Sequence, residues 1–152
     1  MLTIRPITAA DRATVLPMVL DFYQGPAVDH PVDHAVLERS FDAAANPEEF
    51  FLDGWLILEA DQPVGYFYVS NSYSPEAGGR QALIEELYFL PDHRGKGYGT
   101  QAFQFVMDHY AGAIRLRLEV AETNPDAARL YRRIGFDYLP YRQMVLDRQP
   151  AD

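Results

Sequence analysis

Between residues 94 and 99 the chain reads Arg-Gly-Lys-Gly-Tyr-Gly. An apolar run from Ala82 to Pro91 precedes it, and apolar residues at helical spacing follow (Ala102, Phe103, Val106, Tyr110). Three alternating glycines between a strand and a helix demand a tight turn, because glycine alone accepts φ > 0 without steric cost. They also leave bare backbone where the helix begins. The first N–H groups of a helix have no intrahelical acceptor and sit at the positive end of its dipole, so such a turn suits a phosphate. Arg94 and Lys96 add full charges beside it. We read the segment as a pyrophosphate cradle, against the plainer reading of a glycine turn that only caps a helix.

The spacing decides which cradle. A Walker A loop needs four residues between its first glycine and Gly-Lys, then Ser or Thr; here Lys96 follows Gly95 directly. A Rossmann turn needs Gly-x-Gly-x-x-Gly, and Gly99 falls one residue early. What remains is Arg-x-x-Gly-x-Gly, from Arg94 to Gly99.

With 152 residues and 48% hydrophobic content the chain has the size of one globular domain, and we expect residues 1–152 to form a single unit. It contains no cysteine, which removes disulfides and a thiolate nucleophile and agrees with a reducing cytoplasm. No apolar run approaches the ~20 residues of a membrane span, and the first residues lack a signal-peptide layout. A soluble cytoplasmic protein without a membrane partner is the expectation. The net charge of −9 argues against nucleic acid, which wants a basic face. Residues 1–76 hold 12 acids and 3 bases, whereas residues 77–152 hold 10 of each. A polyphosphate ligand prefers the second half and a cationic substrate the first, although solubility alone also accounts for the acids.

Alternation over Leu2–Ile7 predicts a first strand, and Thr8 with Asp11 a helix start. Val15, Leu16, Val19, Leu20 and Tyr23 recur at helical spacing, with Pro17 expected to kink or break that helix. A second helix is expected over about 33–45, with Val36, Leu37 and Phe41 inward. Trp55–Ala60 and Val64–Ser70 read as a hairpin turning at Asp61-Gln62-Pro63, and the polar, glycine-rich stretch 71–80 as a mobile connection. Ala82–Leu90 feeds the glycine loop. Ile114, Leu116, Leu118 and Val120 give the next strand one apolar face. Asn124-Pro125-Asp126 starts a helix that Gly135 stops, and Tyr138–Leu146 reads as a final strand or hairpin arm. The order β-α-α-β-β-β-α-β-α-β makes an α/β fold.

Asn124 to Phe136 reads Asn-x-x-Ala-x-x-Leu-Tyr-x-x-x-Gly-Phe. Together with Arg94–Gly99, in that order and separated by one strand, this resembles the GNAT superfamily of N-acetyltransferases. The likeness is firmest from about Ile84 to Phe136. It implies one mixed, mostly antiparallel central sheet flanked by helices, with acetyl-CoA as co-substrate and no metal. It also implies direct transfer to the amine of a small molecule. An amine on a protein or peptide, or a silent acyl-CoA sensor, are the alternatives, and a homodimer is left open.

On this template the amides of Gly95, Lys96, Gly97, Tyr98, Gly99 and Thr100 hold the pyrophosphate, with Arg94 flanking it. Main-chain groups of Leu87 and Phe89 pair with the pantetheine arm. The Asn124 side chain contacts the same arm or simply caps its helix. Tyr131 lies at the family's general-acid position, since a phenol near pKa ~10 can protonate a departing thiolate. Glu85 and Glu86 are adjacent in a strand and should face opposite ways. Glu85-Glu86-Leu87-Tyr88 resembles the acidic run of polyamine-type members, which makes Glu85 the candidate base, directly or through water. His30 and His34 lack a third ligand, and His93 is a weaker phosphate candidate. Asp29 and Asp33 are candidates for attracting a cation, and Tyr23, Tyr66, Tyr68 and Tyr73 for walling a pocket or packing the core.

Overall fold

β1 (Leu2–Pro6) is tied to the helix that follows it by a forked ion pair, Arg5 donating to both oxygens of Asp11 at 2.8 and 2.9 Å. The Thr8 N–H also donates to Asp11 at 2.8 Å, which sets up a short 3₁₀ turn (Ala9–Asp11) and then α1 (Arg12–Tyr23). These come from a computed structural model that describes residues 1–28 and 30–149. α1 runs through Pro17 without a break, against the sequence expectation, held by the buried Val15, Met18 and Val19. α2 (His34–Ala44) starts at Asp33, whose side chain accepts from the Ala35 N–H at 3.0 Å. Leu37 and Phe41 are buried as expected, whereas Val36 faces outward and is 37% exposed.

Four further strands complete the sheet: β2 (Leu52–Glu59), β3 (Gln62–Ser74), β4 (Gly79–Phe89) and the short β5 (Arg115–Leu118). They stand in the order β1-β2-β3-β4-β5, antiparallel except for the parallel β4–β5 pair. The β2–β3 turn lies at Ala60–Asp61, both at positive φ, rather than at Asp61-Gln62-Pro63. The stretch 71–80, expected to be a mobile connection, is the continuing β3–β4 ladder, with Asn71 opposite Ala82 and Ser74 opposite Gly79. Only residues 75–78 turn, and Gly78 supplies the positive φ.

α3 (Tyr98–His109) and α4 (Pro125–Ile134) lie on the face opposite α1 and α2. Leu37, Phe41, Leu56, Tyr66, Tyr68 and Tyr88 fill the α1/α2 side, and Trp55, Phe67, Ile84, Phe103 and Val106 the α3/α4 side. A mixed five-stranded sheet between four helices is therefore what the described residues form. Two expectations near the end fail. β5 ends at Leu118, and Ile114 is exposed instead of lining an apolar face. Residues 138–146 form no strand and pair with none of the five strands. No helix among the described residues is long and apolar enough to cross a membrane.

Candidate active site

The glycine turn between β4 and α3 forms as anticipated. Gly95 and Gly97 stand at φ +73° and +78°, and a Cβ built on either meets no atom within 4 Å. Backbone conformation, not crowding, requires glycine there. Gly97 caps α3 without a side-chain hydrogen bond, so the amides opening that helix are free to meet an anion. At Gly99 a Cβ would come within 3.4 Å of Leu130, which brings α4 against the start of α3. The loop is pinned from outside: Glu59 of β2 takes His93 Nδ1 at 3.0 Å and accepts the Tyr98 hydroxyl. His93 thus binds the scaffold, and Lys96 lies 5.9 Å over the Tyr98 ring. Arg94 turns back along β4: its Nε donates to Phe89 O at 2.8 Å, and its guanidinium lies over Tyr88 and 3.8 Å from Asp21 of α1.

The parallel seam between β4 and β5 is short. Gln81–Ile84 pair with Arg115–Leu118, and past Ile84 the two strands no longer pair. The Leu90 N–H bonds Val64 O of β3 at 2.8 Å. Alternation then aims the main-chain groups of Tyr88 and Glu86 at β3, and those of Leu87 and Phe89 at the unpaired edge. An extended chain laid in that opening would find backbone donors and acceptors on one wall and the glycine loop at its end.

The acidic pair differs from expectation. Tyr68 lies opposite Glu86 and Val69 opposite Ile84, so Glu85 is the extra residue of a β-bulge. Strict alternation fails there, and both carboxylates face α1 and α2. Glu85 accepts from Ser70 Oγ at 2.6 Å, and Ser70 shares its face with Tyr66 and Tyr68. Glu86 accepts from Tyr23 at 2.5 Å and from Tyr66 at 2.9 Å. Glu85 is exposed to solvent, whereas Glu86 is only 4% exposed. Burial pushes the Glu86 carboxyl up to about 7, with the two phenols pulling it back. The Tyr68 hydroxyl is buried in the same cluster without a hydrogen-bond partner among the described residues. This buried phenol–carboxylate cluster escaped the sequence reading, because the bulge is set by β3, which local alternation does not contain. Tyr73 lies exposed on the β3–β4 hairpin, away from it.

A carboxyl whose folded pKa exceeds its ordinary 4.5 binds more protons folded than unfolded. The fold is therefore more stable on the acid side and loses stability as pH climbs from 4.5 to about 7. Replacing Glu86 with Gln removes that slope. Urea unfolding of Glu86→Gln and the parent from pH 5 to 8 should show the two converge at low pH and part by on the order of 2 kcal/mol at neutral pH. Parallel curves would show that Glu86 keeps an ordinary pKa.

Tyr131, on α4, packs its ring against Phe103 at 5.5 Å and Phe136 at 6.4 Å. Burial raises its pKa, so the phenol stays protonated through the neutral range. Its hydroxyl makes no hydrogen bond among the described residues, and it lines a cavity of about 680 Å³ beside β5. Asn124 caps α4, its Oδ1 accepting from the Ala127 N–H at 3.4 Å. Asp29 lies outside the described residues, and among those described no three His, Cys, Asp or Glu side chains group to hold a metal.

A glycine loop opening α3 and a parallel seam that parts beyond Ile84 mark a fold of the acyl-CoA-dependent acyltransferase type. The family model for the Acetyltransferase (GNAT) family matches residues 15–136, and the chain belongs to that family. It is 37% identical over 73 residues to the streptothricin acetyltransferase of Streptomyces lavendulae, covering 47% of this chain and 38% of that one. It is 34% identical over 113 residues to an L-methionine sulfoximine/L-methionine sulfone acetyltransferase of Pseudomonas paraeruginosa, covering 70% and 62%. The matched segments thus span less than two thirds of these relatives. A predicted acetyltransferase with acetyl-CoA from Clostridium acetobutylicum has the same fold, at a TM-score of 0.76 and 16% identity over 96% of both chains.

Proposed function

We propose that this protein transfers the acetyl group of acetyl-CoA directly to the primary amine of a small, cationic molecule. The parted β4–β5 seam, ending at a glycine loop whose Gly95 and Gly97 stand at positive φ, carries the reading. The amides from Gly95 to Thr100, with Lys96 and Arg94 at their margin, would hold the pyrophosphate. Arg94 would swing from Phe89 O to reach it. The outward main-chain groups of Leu87 and Phe89 would bind the pantetheine arm, and the amide end of Asn124 would donate to it while Oδ1 stays on the cap. Acetyl-CoA supplies an activated acyl group as its thioester.

The chain's own groups then manage two protons. The arriving ammonium must lose one before its nitrogen can bond to the acetyl carbon. Glu85 suits that task, since one oxygen is held by Ser70 and the other has no hydrogen-bond partner among the described residues. As the carbon–sulfur bond breaks, the Tyr131 hydroxyl gives the leaving sulfur a proton, and the second proton that the nitrogen sheds on becoming an amide returns to the phenolate through solvent. Glu86, held by Tyr23 and Tyr66, adds negative potential on the same side as it ionises above about pH 7. The relatives named for streptothricin and methionine sulfoximine support a small amine, and the acids of the N-terminal half support a cation.

A panel of amines with acetyl-CoA, read by release of free thiol, tests the reading: cationic amines should outperform neutral and anionic ones. Absence of thiol release across the whole panel would overturn it. Glu85→Gln should lower the rate most at low pH, where free amine is scarce, and recover in part at alkaline pH. An unchanged pH–rate profile removes Glu85 as base.

A further inference from the structure

Arg94 cannot keep its present partners and reach a pyrophosphate as well. Its Nε donates to Phe89 O at 2.8 Å, and its guanidinium lies 5.3 Å from the centre of the Tyr88 ring and 3.8 Å from Asp21 Oδ2. Those contacts put it on the α1/α2 face of β4, where Tyr88 joins the core beneath those helices. With the guanidinium over it, the Tyr88 ring is only 6% exposed.

A cation over an aromatic face and beside a carboxylate is a cation site with an occupant in place. Asp21 lies in the last turn of α1, where the helix dipole is negative, and no basic residue in that turn offsets it. The Tyr88 hydroxyl donates to Asp21, which holds the carboxylate at the rim of the ring. The side chains of Asp21 and Arg94 are each 54% exposed, so the place opens to solvent.

We propose that Tyr88 and Asp21 bind the remote ammonium of a diamine acceptor, and that Arg94 fills that place until acetyl-CoA withdraws it. This site rests on the proposed acetyl transfer and names the acceptor class within it. Two parts of the donor act on Arg94. The pantetheine arm competes for Phe89 O, and the pyrophosphate draws the guanidinium to the glycine loop. An uncovered ring and an unneutralised carboxylate remain behind. Tyr88 stands three residues beyond Glu85 along β4, a rise of roughly 10 Å. An extended diamine such as hexane-1,6-diamine spans that interval, with one nitrogen at Glu85 and the other over Tyr88. A monoamine of the same length leaves the second place empty.

Calorimetric titration of hexane-1,6-diamine and of hexylamine, each with and without saturating CoA, reads the site as binding and needs no acetyl transfer. Diamine affinity should rise roughly 10-fold when CoA is present, and hexylamine affinity should not rise. R94A, titrated without CoA, should bind the diamine as tightly as the parent does with CoA. D21N, titrated with CoA, should bind it roughly 10-fold more weakly than the parent. Circular dichroism confirms that both variants fold, and the parent titrations stand by themselves if one does not. Equal diamine affinity with and without CoA overturns the proposal, as does a rise that hexylamine shares. So does R94A that binds no tighter than the free parent, or D21N that keeps the parent's affinity. The two readings fail separately. These affinities without any thiol release keep the diamine site and remove the transferase, whereas acetylation of cationic amines with D21N unaltered removes the site alone.

Discussion

Tyr131→Phe is expected to lower turnover ~100-fold or more while leaving acetyl-CoA affinity unchanged. The ring keeps its contacts with Phe103 and Phe136, so packing is retained and only the proton is lost. Burial raises the phenol's pKa, so it keeps its proton and stays neutral through the neutral pH range. A group held neutral beside a cavity is a poor general base and a ready acid. Turnover measured at saturating amine, set against acetyl-CoA binding by calorimetry, separates the two roles. Parent-like turnover would return Tyr131 to the core.

Gly97→Val is expected to cut acetyl-CoA affinity by roughly 10- to 100-fold, about 1.4 kcal/mol for each factor of ten. Two effects act together. Position 97 sits at φ +78°, where a β-branched residue is strained by ~1–3 kcal/mol. The new side chain also projects into the open space before the first amides of α3. The strain is local to a loop, so the sheet and both cores should hold. Thermal unfolding confirms a folded variant, and calorimetric titration gives the affinity. Undiminished affinity in a folded variant would end the pyrophosphate assignment.

How far the sequence carried this reading depended on the range of the forces involved. The cradle and both later helices were legible, because their determinants lie within a few residues. Gly95 and Gly97 need their own φ, Asn124 its own cap, and Gly135 its own stop. Pro17 misled, since tertiary burial of Val15, Met18 and Val19 outweighs one missing helical hydrogen bond. The stretch 71–80 misled for the opposite reason. Its polar residues look like a loop, but pairing between β3 and β4 carries through them. Alternation put Glu85 and Glu86 on opposite faces, and a bulge dictated by the neighbouring strand undid it. Composition also promised a strand over Tyr138–Leu146, and those residues pair with none of the five strands, since a ladder depends on a partner that local sequence does not contain.

The tether of the glycine loop has a consequence for how a ligand arrives. Glu59 grips both His93, before the loop, and Tyr98, after it, so β2 fixes the two ends of the cradle. Ordering those residues is a cost of folding and not of association. A preformed mouth of this kind needs no rearrangement before capture, so complexes should form at rates set by encounter and orientation. Variants of Glu59 that loosen the grip should then slow arrival. Changes at Leu87 or Phe89, which we propose bind the pantetheine arm, should instead shorten its stay.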